Sequence, residues 1–177
     1  MTTNLTDQQI AENKTAQIIE GVDVWTGYYR ANPHRFAKDF LSVDLKLFQK
    51  ILLFQMNQSD AFYFIAARSI GKTWLVALFS IIRAILYPGS KIICCSYSFT
   101  QGKQIIQKII EDFMHRSPLL RNEIKGQPSI SRDNCGVTFK NGSFIKVVIA
   151  GETARGKEIR TKYYINIFKK EGEYIIC

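Results

Sequence analysis

Apolar and polar positions follow three rhythms along this chain. Phe36, Phe40, Leu41, Leu45, Phe48, Leu52 and Leu53 recur at three- and four-residue steps, the spacing of a helix face. Asn32-Pro33 opens that stretch and Ser42 to Asp44 interrupts it, which predicts one or two amphipathic helices. After the turn Asn57-Gln58-Ser59-Asp60 comes an unbroken run, Ala61-Phe62-Tyr63-Phe64-Ile65-Ala66, the mark of a strand buried on both faces. A helix is predicted from Gly71 to Leu86, stopped by Tyr87-Pro88-Gly89, then a second buried strand from Lys91 to Ser96. Gln101 to His115 is again helical, with Ile105, Ile106, Ile109, Ile110 and Phe113 on its inner face. The third rhythm surrounds Asn141-Gly142: strand-like runs from Val137 to Ile149 predict a hairpin with a type I′ turn. A Gly-containing loop from Ala150 to Lys157 and one more strand, Tyr163 to Phe168, complete the pattern. Residues 1–24 are polar and weakly periodic, a loosely attached helix or tail.

Strand, helix, strand, helix is the signature of an α/β fold with right-handed crossovers and a mostly parallel sheet. A length of 177 residues suits one domain, and 46% apolar residues suffice for a sizeable core. The longest apolar stretch, Trp74 to Tyr87, is short for a bilayer and contains Arg83, and no basic-then-apolar leader opens the chain. Cys94, Cys95, Cys135 and Cys177 have no C-x-x-C spacing, and His34 and His115 stand alone, so free thiols are expected rather than a zinc site.

Charge changes the picture. Residues 1–60 carry 6 Lys/Arg and 7 Asp/Glu; residues 61–177 carry 18 and 8, a balance of +10 within a net +9. A basic field over two thirds of a chain attracts polyanions, nucleic acid foremost.

The segment with readable chemistry is Ala66-Ala67-Arg68-Ser69-Ile70-Gly71-Lys72-Thr73, set between a predicted strand and a predicted helix. Gly71 permits close backbone approach to phosphates, and backbone N–H groups with the helix N-terminus supply partial positive charge. Lys72 suits the β- and γ-phosphates of ATP, and the Thr73 hydroxyl one Mg²⁺ position. The general pattern G-x-x-x-x-G-K-[ST] asks for Gly where this chain has Ala66. Arg68 is a candidate for a γ-phosphate contact or for a contact with a neighbouring subunit.

These residues resemble the variant phosphate loop of the large terminase subunits of tailed bacteriophages, the ATP-driven motors that package DNA. That family often lacks the first Gly and often carries Arg at the third loop position. The segments Asn32-Pro33-His34-Arg35-Phe36, Leu45 to Leu53, Ile85 to Ile92, Ser117 to Ile124, Phe139 to Phe144 and Gly151 to Gly156 keep the family's order and spacing. The resemblance covers roughly residues 28–161, leaving 1–27 as a tail or loose helix and 162–177 as a non-homologous tail. It implies a P-loop NTPase-like domain, incomplete relative to the family, with helices on both faces of the sheet and an antiparallel hairpin near 137–149. It implies ATP and Mg²⁺ as cofactors, with Gln49 on the adenine. It also implies non-specific double-stranded DNA, portal protein and small terminase subunit as partners, assembly into an oligomer, and a place in the host cytoplasm rather than in the virion.

The chain departs from the family at its end. There an apolar strand ends in Asp-Glu, the Asp assisting Mg²⁺ binding and the Glu polarising water. Here Tyr163 to Phe168 is followed by Lys169-Lys170, with Glu171 and Glu173 offset. The metal-dependent nuclease domain of the family has no counterpart. The reading is therefore a truncated, ATP-binding portion of a packaging motor that does not hydrolyse. The alternatives are a fragment of a helicase-like P-loop ATPase and a non-enzymatic module that binds DNA or a protein partner.

Overall fold

The computed structural model describes residues 7–67, 70–149, 164–170 and 173–176, with side chains over 13–67 and 70–149. The chain divides into two compact units, residues 1–32 and 33–177. The first is built on one long helix, α1 (Asp7–Ala31). Ile18, Val22 and Val24 lie exposed along it, and Trp25 meets Tyr29 edge-on at 4.9 Å.

The second unit opens with α2 (Pro33–Asp39) and α3 (Leu47–Gln58). The break between them falls at Ser42, whose φ of 57° no helix interior accommodates. β1 (Ala61–Ile65), α4 (Lys72–Leu86), β2 (Lys91–Ser96) and α5 (Phe99–Lys108) follow in the predicted order. α5 continues into a π-helical turn, Ile109–Met114, then come α6 (Pro118–Glu123), β3 (Ser129–Ile130), β4 (Cys135–Thr138), β5 (Phe144–Ile149), β6 (Tyr164–Lys170) and β7 (Glu173–Ile176). Ser98 and Ser117 start α5 and α6 as N-caps, accepting bonds from the backbone N–H groups of Gln101 and Leu120.

α4 is buried on every side from Leu75 to Ala84 and again at Leu86, so it forms the middle of the core rather than a surface helix. Phe36, Leu41, Leu53, Met56 and Phe113 are fully enclosed in the same core. Arg83 is buried too; its guanidinium donates to the Asn57 Oδ1 at 2.9 Å and lies 3.8 Å over the Tyr87 ring. That pairing lets a cation stand inside an apolar helix. Gly102 is where α5 meets the sheet: a Cβ there would clash with the side chains of Val147 and Ser96.

The mixed sheet runs β1-β6-β7-β2-β5-β4-β3. The expectation of a mostly parallel sheet is corrected. β2 is parallel to β7 and β5, but β1/β6, β6/β7, β4/β5 and β3/β4 are antiparallel. β6 and β7 insert between β1 and β2, so the two strands joined by α4 never pair.

The expectation of helices on both faces is not met by α4 and α5, the helices of the second unit that pack on the middle of the sheet. α4 packs on α5, and both touch β2 and β5, so they share one side of the sheet. That side carries Ile92, Cys94, Cys135, Val137, Ile145 and Val147, all buried. On the other side Tyr63 is 62% exposed and Ile65 67%. β1 is thus an edge strand open on one face, not a strand buried on both; an unbroken apolar run cannot reveal which face will find a cover.

The hairpin of β4 and β5 is present, but its turn differs from the expected type. Only Gly142 has a positive φ (85°), and the Gly142 N–H donates to the Phe139 carbonyl at 3.2 Å. This is a type I turn closed by a left-handed glycine, the three-residue loop with a bulge. Cys94, Cys95 and Cys135 are free thiols.

Candidate functional site

β1 ends at Ile65 and α4 begins at Lys72, so six residues connect an edge strand to the central helix. Gly71 takes the N-cap position with φ 87° and ψ 25°, a left-handed conformation that an L side chain resists. Its carbonyl accepts the first helical bond, from the Leu75 N–H at 2.9 Å. No acidic residue stands in the first turn of α4, so no carboxylate of that turn neutralises the positive end of the helix.

Lys72 does not extend into water. Its ammonium donates to the Ala66 carbonyl at 2.7 Å and the Ala67 carbonyl at 2.5 Å. These bonds bring the Ala66 and Ala67 carbonyls to the first residue of α4. Thr73 is half-buried in the first turn, and Ile70 is exposed. Arg68 and Ser69 lie outside the described residues, as does the segment Thr153 to Gly156. A phosphate group placed here would have to be held by the lysine, beside the left-handed Gly71, and by backbone N–H groups at the start of a fifteen-residue helix.

Gln49 has a structural task that its position in sequence did not reveal. It sits at the third position of α3, and its Oε1 accepts the Lys46 backbone N–H at 2.9 Å. The side-chain carbonyl is thereby committed to capping its own helix.

Lys169-Lys170 does not stand beside the loop. β6 is antiparallel to β1, with Tyr164 opposite Ile65 and Phe168 opposite Ala61. The lysine pair falls past the start of β1, at the far end from the loop. Glu173 is at that same far end, opposite Lys91 and Lys170. Strand direction, which a period-two pattern does not encode, sets this placement.

Elsewhere, burial, then Arg35 and Lys50, lowers the pKa of His34, and burial raises that of the Cys135 thiol. Among the described residues, no three His, Cys, Asp or Glu side chains gather as a metal site. No helix of these residues is long and apolar enough to cross a membrane. The chain matches no protein-family model and no curated protein.

Proposed function

We propose that this chain is a P-loop nucleotide-binding unit, the ATP-binding portion of a DNA-packaging motor of the phage terminase type. The observation that carries the reading is the Lys72 ammonium, held by the Ala66 and Ala67 carbonyls at the mouth of α4. An anion entering the loop would offer that ammonium stronger, charge-assisted bonds than two neutral carbonyls do. Backbone N–H groups at the start of α4 would take the remaining phosphate oxygens, and the Thr73 hydroxyl would take one Mg²⁺ position. Supporting the family assignment are the loop sequence and the collinear segments over residues 28–161.

Mg²⁺ would supply charge neutralisation on the β- and γ-phosphates. The chain's own contribution is binding and orientation. Hydrolysis needs in addition a carboxylate to position water, and β6 and β7 bring none to the loop's end of the sheet. Isothermal titration with ATP and Mg²⁺ tests the reading: wild type binds, Lys72→Ala does not, and neither releases phosphate. Equal affinity in both proteins would overturn the site, and turnover that vanishes in Lys72→Ala would overturn the non-hydrolysing part.

A further inference from the structure

The sheet ends at β3, the edge opposite β1. There the connection from α6 is tied to β4 at two points. The Lys125 N–H donates to the Thr138 carbonyl at 2.8 Å, and Ser129 stands in register with Gly136. Between the ties Gly126, at φ 73°, turns the chain, so residues 125–129 form a wall held at both ends. Against this wall lies a cleft of about 310 Å³ whose lining includes Lys125, Gln127, Asn134, Phe144 and Lys146. Its floor carries no side chain at Gly136, which stands opposite Lys146; a Cβ there would strike the Ile145 carbonyl. The nearest carboxylates in sequence, Glu123 and Asp133, are not in the lining. Among the described residues, no hydrogen bond or ion pair engages the ammonium groups of Lys125 and Lys146 or the side-chain amides of Gln127 and Asn134.

We propose that this cleft binds a phosphorylated small molecule: a phosphate monoester carried on a flat ring system, of nucleoside monophosphate size. Two cations with no carboxylate beside them select an anion. They match a phosphate monoester, which carries about two negative charges near neutral pH. A carboxylate, or the phosphodiester of a nucleic acid strand, brings one charge and leaves one lysine unanswered. The half-buried Phe144 supplies an aromatic side chain for stacking. The Gln127 and Asn134 amides each present a donor beside an acceptor, the pairing that the edge of a heterocycle offers in return. The volume stands at the lower end of small-molecule sites, about 300–1,000 Å³, room for one nucleotide and not for a run of them. The inference does not rest on the loop at Lys72, which follows the strand at the other edge of the sheet.

Isothermal titration with AMP of the Lys72→Ala chain, where the loop has lost its cation, reads the cleft alone. AMP binds saturably, and about tenfold more tightly than cyclic AMP, which keeps base and sugar but holds its phosphate as a singly charged diester. Adding Lys125→Ala or Lys146→Ala, both exposed lysines, weakens AMP by about tenfold or more. Adding Phe144→Leu weakens AMP and leaves the affinity for inorganic phosphate unchanged. Adding Lys108→Ala, on α5 and paired with Asp112 at 3.5 Å, changes AMP affinity by less than about twofold. Four results would overturn the proposal: AMP binding that disappears with Lys72→Ala alone, cyclic AMP bound as tightly as AMP, an equal loss in Lys108→Ala, or a bound oligothymidylate that AMP does not displace.

Discussion

The loop at 66–72 and the corner at 139–143 are both tight connections next to α4, one at its start and one at its end, and they are held in opposite ways. At the corner, both ends of the Asn141 side-chain amide and its backbone carbonyl are engaged within the protein. Its Nδ2 donates to the Ala84 carbonyl at 2.7 Å and to the Ile85 carbonyl at 3.3 Å, and its Oδ1 accepts the Ser143 N–H. Its backbone carbonyl accepts the Gly89 N–H, and the buried Ser143 hydroxyl accepts the Ser90 N–H and donates to the Tyr87 carbonyl. That corner closes the last turn of α4 and needs nothing from outside. At the loop, the Lys72 ammonium spans two carbonyls of its own connection. A corner held by several partners from α4 and its exit is a structural joint; the ammonium of Lys72 is held by carbonyls of its own connection, and under the proposed function an anion would compete for it.

The difference can be broken experimentally, and the largest effect is expected at the loop. Lys72→Ala should cost about a hundredfold or more in ATP affinity, the scale of a lost charge-assisted contact, while the melting temperature barely moves. A large drop in melting temperature would make Lys72 a structural residue like Asn141. The reverse is expected at the corner: Asn141→Ala should lower stability by about 2 kcal/mol, because it uncaps the end of a buried helix. Denaturant unfolding measures that loss, and ATP affinity per folded molecule should be unchanged. Gly142→Ala has open space for its Cβ, so only the left-handed φ opposes it, at about 1 kcal/mol. A larger loss would mean that the bulge carries more than conformation. The smallest effect is expected at Gln49→Ala, about 0.5–1 kcal/mol of helix capping. A greater loss of affinity for ATP than for inorganic triphosphate in this variant would restore the adenine contact implied by the family resemblance.

The elements around α4 were legible because local chemistry decides them. The run Ala61 to Ala66, the Gly71-Lys72-Thr73 start, the Tyr87-Pro88-Gly89 stop and Asn141-Gly142 each punctuate the chain within a few residues. What was not legible is long-range. Nothing in Tyr163 to Phe168 says that this strand pairs with β1, runs against it, and carries Lys169-Lys170 away from the loop. Nor does an apolar strand announce that helices will cover one face only, since that depends on α4 and α5 packing together. At the candidate site, the start of α4 at Gly71-Lys72 could be read from spacing, whereas the capping task of Gln49 depends on where α3 begins.

The loop at 66–71 joins the most enclosed helix of the second unit to a strand at the sheet's edge, and this has a consequence for the order in which the candidate site comes apart. Amides within α4 exchange with solvent only when the core opens, whereas β1 has a neighbour on one side alone and can separate from β6 by itself. In a hydrogen-exchange experiment, Leu75 to Leu86 would be among the last amides to label and Ala61 to Ile65 among the first. The lysine would then stay anchored on α4 while the half of the loop bearing its carbonyl partners leaves with the strand. Occupancy of the loop would register as slowed labelling of β1, a readout of binding that needs neither turnover nor a chromophore.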